Sequence, residues 1–328
     1  MVRPGLSLGL TGKAAVLTAA FFVGATSAAA APFAYITNQK ANSVSVIDTA
    51  TGRVTKTINL TPGSEPAGVA VSANGKRICI ANPTAKTVTV IDGPSQTISG
   101  EIPAGSGPVG IAVDAKGEIG YAADWYEHYL AVLDLKANRV VGKIPVGHSP
   151  AGVVVSADGS KVYVANRDDD SISEIDAKTR AVTRSVTVGK HPFGILLDRA
   201  EKTLYTANVE SNDISVVDLS RMQVVGTVAV GDRPYALSAA GDRLFVTVQY
   251  DNAVSIIDAK ALKNVGKIAV GEYPEGIATH PDGKHVYVAN WFSNSVSVID
   301  AEALKVVDTI PTGDGSRAFG AFIGPRGL

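Results

Sequence analysis

From residue 33 onward, apolar positions fall in short runs that alternate with polar ones or stand together. The runs are bounded by Gly, Asp, Asn and Pro. Runs of this length and period predict strands, and their punctuation predicts tight turns. The stretch from Gly152 shows the unit. GVVV reads as a first strand, and Ala157-Asp158-Gly159 as a turn whose Asp-Gly tolerates positive φ. KVYVAN is a second strand, Arg167 to Asp170 a loop, SISEID a third strand, Ala177 to Arg180 a turn and AVTRSVTVG a fourth strand. Gly189-Lys190-His191-Pro192 then leads into GILL, and the unit begins again. No segment after the first 31 residues sustains a helical pattern.

Two markers repeat in step. One is a strand ending in Asn: Tyr35 to Asn38, Cys79 to Asn82, Tyr121 to Asp124, Tyr163 to Asn166, Tyr205 to Asn208, Phe245 to Val248 and Tyr287 to Asn290, at steps of 44, 42, 42, 42, 40 and 42 residues. The other is SVSVID and its variants, ending at Asp48, Asp92, Asp134, Asp176, Asp218, Asp258 and Asp300 with the same steps. Four antiparallel strands repeated every ~40–45 residues predict an all-β protein, a seven-bladed β-propeller of four-stranded antiparallel blades. First-strand motifs stand at Gly68, Gly110, Gly152, Gly194, Ala236, Gly276 and Gly320. The last is isolated at 319–323, whereas the strands of 33–60 lack a first strand. The N-terminal strands are therefore expected to pair with the C-terminal one, closing the ring and removing exposed sheet edges. Residues 32–328 are expected to form this single domain.

The repeated residues have structural explanations. The third-strand Asp can bond the N–H groups of its own turn, and the second-strand Asn can cap the loop after it in the same way. Glycine in the first strand permits close backbone approach near a crowded axis.

Tyr163-Val-Ala-Asn166, Tyr287-Val-Ala-Asn290, the SVSVID strings and the Val-Gly-x-x-Pro loops resemble the YVTN-type β-propeller repeat family, over essentially the whole chain after residue 31. The resemblance implies an exported bacterial or archaeal propeller, related in fold to lactonase-like and cytochrome d1-like propellers. It carries no shared catalytic motif. The chain departs from the pattern at Val248, which replaces the Asn, and at Gly313 to Arg317, which lacks the Pro.

Residues 1–31 read as a secretory signal: Arg3 and Lys13, an apolar run from Ala14 to Gly24, then Ala28-Ala29-Ala30 before Pro32. The run is shorter than the ~20 residues that span a bilayer. A periplasmic or secreted protein, monomeric and without a transmembrane segment after cleavage, is expected. The whole chain has 328 residues, a formal charge of −1 and one cysteine, which excludes an intramolecular disulfide and a Cys-rich zinc site. Cys79 occupies a strand position otherwise apolar or aromatic and is expected in the core.

Loops after the second and fourth strands share one face, the top. Loops after the first and third share the bottom. The top loops are acidic and the bottom turns richer in Lys and Arg. The top loops also vary most between repeats. Trp125-Tyr126, Tyr250 and Trp291 lie in loops after the second strand, where aromatic rings suit flat or apolar ligands. The position before the inter-blade Pro reads Glu65, Gly107, Ser149, His191, Arg233 and Tyr273, with Arg317 in the aligned seventh place and His148 beside Ser149. Arg233 and Arg317 could clamp a carboxylate or phosphate. The expected ligand-binding set is therefore Glu65, Trp125, Tyr126, His148, His191, Arg233, Tyr250, Tyr273, Trp291 and Arg317. His191 with Glu65 is the best acid–base pair on offer. Asp168-Asp169-Asp170 as a Ca²⁺ site, and His148 with His191 and Glu65 as a shared metal site, are both discounted. His280 and His285 belong to a bottom turn and strand and read as structural. No catalytic signature or phosphate loop occurs.

These features favour a non-catalytic binding or scaffold protein that holds a protein or small ligand at its top loops. Two alternatives stand beside it. One is a lactonase- or lyase-type enzyme, or an axial cofactor carrier. The other is a binder of nucleic acid or another anionic polymer through the basic bottom. The cofactor, if any, is not legible.

Overall fold

The computed structural model describes residues 32–324, together with residues 1, 2 and 5. Apart from those three, the leader expected over 1–31 lies outside the described residues. Among the described residues the chain forms seven antiparallel sheets in sequence order around an axis. Blade 1 holds Phe33–Asn38, Ser43–Asp48 and Arg53–Asn59. Blades 2 to 7 run over 69–103, 108–145, 150–187, 192–229, 234–269 and 274–311, each with four strands. No helix among the described residues is long and apolar enough to cross a membrane.

Each blade obeys the same burial logic. Second and third strands, such as Lys161–Asn166 and Ser171–Asp176, are buried almost throughout because both faces meet neighbouring blades. The outermost strands alternate or stand exposed, as in Arg53–Asn59. Cys79 is fully buried in the core between blades 2 and 3, as expected.

Ring closure follows the expected route. The C-terminal segment lies antiparallel to Phe33–Asn38 through bridges Ala34 to Ile323 and Asn38 to Ser316. Tyr35 N donates to Phe322 O at 2.9 Å, Gly324 N to Phe33 O at 3.0 Å and Arg317 N to Thr37 O at 2.9 Å. Phe322 is fully buried in the core that spans the seam.

The third-strand Asp behaves as its position implied. Its Oδ1 accepts a turn N–H in every blade, for example Ala50 N to Asp48 at 2.8 Å and Glu302 N to Asp300 at 2.9 Å. The second-strand Asn does not cap its loop. Asn166 Nδ2 instead donates across the sheet to Ser171 Oγ (3.1 Å) and Ser173 Oγ (2.9 Å), and Asn38, Asn82, Asn208 and Asn290 repeat the pattern. Buried against the next strand, the amide is nearer those side chains than its own loop. Only Asp124 serves its loop as expected, accepting from Tyr126 N and Glu127 N.

Near the axis, a Cβ at Gly110 would overlap the carbonyl oxygen of Ala151, and one at Gly152 that of Phe193. Blade 4 carries a departure of its own. Glu174 stands where the other third strands have Val or Ile, and it is buried. Burial works to raise its pKa. Hydrogen bonds from Arg184 (Nη2 to Oε2, 2.5 Å), Lys161 and Thr183 outweigh burial and hold it at about 2.

Gly110→Ala is expected to cost more than ~2 kcal/mol, and Phe322→Ala about 3–5 kcal/mol, measured by chemical denaturation. Because the folded-state pKa of Glu174 is depressed, its contribution is present above pH ~4.5 and is lost as pH falls towards about 2. Glu174→Gln should remove on the order of 2–3 kcal/mol of that pH dependence, read from denaturation midpoints across this window.

Candidate binding funnel on the propeller axis

The residue after the inter-blade Pro points the composition of the axis. Around the ring it is Ala67, Val109, Ala151, Phe193, Tyr235, Glu275 and, in the aligned seventh place, Phe319. Three of these form an aromatic plug. The Phe193 and Tyr235 rings stack with centroids 4.3 Å apart, and Phe319 packs on both at 4.8 and 5.5 Å. Two cavities share the axis. One of about 500 Å³ is lined by first-strand residues of the lower half, Val153, Ile195, Leu237 and Ile277 among them. The other, about 480 Å³, opens among the top loops. It is lined by Trp125, Tyr126, Arg167, Arg233, Tyr273, Trp291 and Arg317, with Phe193, Tyr235, Gln249 and Glu275.

The residues before the Pro are presented by a repeated latch. Glu65, Ser149, His191, Arg233 and Tyr273 all have left-handed backbone, with φ between 48° and 64°, a conformation unfavourable for residues with a Cβ. Each is held there by a hydrogen bond from its N–H to a loop side chain: Asn42 Oδ1 (2.9 Å), His128 Nδ1 (3.1 Å), Asp170 Oδ1 (2.8 Å), Asn212 Oδ1 (2.9 Å) and Asn252 Oδ1 (2.9 Å), respectively. The loops after the second strands thus fix the ring that surrounds the axis.

Arg317 crosses from this rim to the axis. Its Nε donates to Glu275 Oε2 at 2.5 Å, and its Nη2 to Glu275 Oε1 (3.2 Å) and Tyr235 Oη (3.0 Å). Gln249 Nε2 also donates to Glu275 Oε1 at 3.1 Å, and Arg233 Nε to Gln249 Oε1 at 3.0 Å. Burial opposes the charge on both partners of the ion pair. It raises the Glu275 pKa, with Arg317 pulling it back, whereas the carboxylate holds the Arg317 guanidinium firmly protonated. With a bidentate contact and a guanidinium that stays charged, the pair is ionised. Arg317 also lies over Trp291 (5.0 Å), Arg233 over Tyr250 (5.2 Å) and Arg167 over Trp125 (5.5 Å), so each cation meets an aromatic face. Trp291 Nε1 is a buried donor with no partner among the described residues.

Of the ten residues expected from sequence, seven line this funnel: Glu65, Trp125, Tyr126, Arg233, Tyr273, Trp291 and Arg317. Tyr250 touches it through Arg233. His148 and His191 do not line it. His148 Nδ1 bonds Asp169 Oδ1 at 2.7 Å, and His191 Nδ1 lies 2.8 Å from Glu210 Oε1 without hydrogen-bond alignment. Glu65 instead accepts from Thr84 Oγ1 at 2.8 Å, so the His191–Glu65 pair is not assembled. The three adjacent aspartates diverge as well. Asp168 accepts from Ser149, Asp169 from His148 and Asp170 from His191 N. Glu275, Tyr235, Phe193, Gln249 and Arg167 are among the lining residues that the sequence reading missed. Position after the Pro was the available signal for the first three.

Arg317→Met is expected to destabilise the fold by about 3–5 kcal/mol, since it strands a buried carboxylate. Adding Glu275→Leu should recover most of that loss. The single variant should gain stability as pH falls from about 8 to about 5, because a carboxyl with a raised folded pKa binds its proton preferentially in the folded state. Denaturation of the three proteins at several pH values checks both.

Two family models match the chain: the seven-bladed lactonase β-propeller over residues 101–225 and the YNCE-like β-propeller over 222–314. No curated protein matches the chain in sequence. Several solved structures share the fold. A chain of Kuenenia stuttgartiensis hydrazine synthase aligns with a TM-score of 0.71 and 22% identity, covering 78% of this chain and 89% of that one. A protein of unknown function from Desulfotomaculum acetoxidans aligns with a TM-score of 0.75 and 12% identity, over 88% and 99%. Dihydro-heme d1 dehydrogenase NirN, in complex with DHE, aligns with a TM-score of 0.67 and 16% identity, over 85% and 63%. By fold the chain is a seven-bladed β-propeller, and parts of it are similar to the lactonase and YNCE-like propeller models.

Proposed function

We propose that this chain is an exported, non-catalytic binding propeller whose upper funnel takes a flat small ligand bearing a carboxylate or similar anionic group. The observation that carries this reading is the pairing of guanidinium groups with aromatic faces around one axial cavity, with Arg233 at its rim. Aromatic faces supply area for a planar body, and guanidinium groups supply bidentate donors for an anion. Arg317 is already occupied by Glu275 and Arg167 by Asp168, so Arg233, bonded only to neutral partners and rimmed by Tyr250 and Tyr273, is the cation left for a ligand. The unpartnered Trp291 Nε1 is a further donor beside the cavity.

The alternatives find less support. A hydrolytic site needs a general base with a free lone pair near the reacting atom. The carboxylate nearest the axis, Glu275, is committed to Arg317 and Gln249. NirN is described in complex with DHE, but no histidine is among the residues lining this funnel, so a haem held by imidazole is not favoured. On the bottom, Arg77 pairs with Asp92, Lys260 with Asp242 and Lys161 with Glu174, which leaves less charge for phosphates.

Native mass spectrometry of the chain purified from its own exported fraction, compared with its denatured mass, is the test. A stoichiometric mass excess is expected in the wild type. Arg233→Ala should weaken the ligand at least ~10-fold, worth about 1.4 kcal/mol, and Trp291→Ala by a similar factor. Full retention by both variants would overturn the placement. Turnover of a lactone abolished by Arg233→Ala would overturn the non-catalytic role.

A further inference from the structure

The turn between the first and second strands of blade 7 reads His280-Pro281-Asp282-Gly283-Lys284-His285. The equivalent turns of blades 2 to 5 begin with a small acceptor. Ser72, Asp114, Ser156 and Asp198 receive the N–H of the residue five positions on. That later residue is Arg77, Ile119, Lys161 or Thr203. Blade 7 has histidine at both ends.

The two rings converge on one carboxylate. Asp282 Oδ1 is fixed by Lys284 N (2.7 Å) and His285 N (3.1 Å). Its Oδ2 is left facing His280 Nδ1 at 3.0 Å and His285 Nδ1 at 2.7 Å, and the three donor atoms lie within 4.8 Å of one another.

A neighbouring blade fixes the proton on His280. Thr49 Oγ1 donates to Pro32 O at 2.6 Å, which uses its one proton. Thr49 Oγ1 therefore accepts at 3.1 Å from His280 Nε2, so that nitrogen carries the hydrogen. In the neutral ring Nδ1 is then a lone pair, as its acceptance of Asp282 N at 3.2 Å agrees. The same lone pair, engaged by Asp282 N only at 3.2 Å, also faces a carboxylate oxygen at 3.0 Å, and either a metal ion or a proton on Nδ1 reconciles the two.

We infer that His280, Asp282 and His285 form a binding site for a zinc-type divalent transition-metal ion at the seam between blades 7 and 1. Two imidazoles and one carboxylate are donors for such ions, whereas Ca²⁺ and Mg²⁺ want oxygen ligands. Tetrahedral metal–ligand bonds of about 2.0–2.2 Å put neighbouring donors about 3.3–3.6 Å apart, so the Asp282–His spacings of 3.0 and 2.7 Å need to widen by only about 0.3–0.9 Å to admit the ion. The Thr49 bond to Nε2 orients the ring from the far side, as outer partners of metal-bound histidines do. The remaining positions open to solvent, since His285 is 39% exposed. The ion would join the first-to-second-strand turn of blade 7 to the Thr49–Pro32 contact of blade 1, bracing the junction at which the ring closes.

The test is Zn²⁺ titration by calorimetry on the untagged full chain after chelator treatment, with Co²⁺ as an absorbance probe. One Zn²⁺ per chain is expected, with visible Co²⁺ bands. Affinity should fall as the pH is lowered to about 5, where protons compete for the ring nitrogens. His285→Ala should abolish binding and Asp282→Asn should weaken it at least ~10-fold. Thr49→Val, which does not remove a ligand, should weaken it less. Circular dichroism of the metal-free variants confirms that they fold. No Zn²⁺ uptake by folded wild-type protein, or uptake unchanged in folded His285→Ala and Asp282→Asn, would overturn the site and leave the cluster as an imidazolium–carboxylate pair.

Discussion

The close approach of inner strands to the axis is the constraint on which the rest depends. Gly68, Gly110, Gly152 and Gly194 each lie against the carbonyl of the axial residue in the next blade, and no Cβ fits in between. That contact sets the pitch of the ring. It also determines which seven side chains share the axis, because the residue whose carbonyl is touched is the one after the Pro. Small residues there, Ala67 and Ala151, leave space. Phe193, Tyr235 and Phe319 fill it and divide the upper cavity from the lower one.

The upper rim depends on the same packing. A left-handed backbone before each Pro costs conformational energy, which the N–H latch to Asn42, His128, Asp170, Asn212 or Asn252 offsets. Strain held by a neighbouring loop gives fixed side-chain directions, so the funnel is largely preorganised for whatever it binds. The Arg317–Glu275 pair then has two consequences. It satisfies the buried charges at the funnel floor, and it removes Glu275 from service as a base.

The seam between the first and last blades is handled twice. On the axis side the C-terminal segment pairs with Phe33–Asn38 and buries Phe322. At the bottom the His280–Asp282–His285 turn meets Thr49 and Pro32 across the same boundary. A closed ring has one junction not made by consecutive chain, and a noncovalent brace is most useful there because the closing contacts carry the loss of loop entropy.

What the sequence determined by itself was most of what repeats: strand periodicity, the turn aspartates, the glycine rule, seven blades and the split first blade, though not the cross-sheet role of the repeated Asn. Repetition samples the same local physics seven times, so each inference checks the others. Much of the rim was legible too, since Trp125, Arg233, Tyr273, Trp291 and Arg317 stand out as deviations from a repeat. Tertiary structure alone decided which deviations meet. His191 turns to Glu210 and not to Glu65 because latching its N–H to Asp170 fixes its backbone. Glu275 and Tyr235 reach Arg317 only because the ring brings blades 6 and 7 and the closing segment to a common axis. His280 gains its meaning from a threonine 231 positions away. Local pattern encodes strands and turns through interactions of near neighbours in sequence. A site gathered from several blades rests on distances that exist only once the ring has closed.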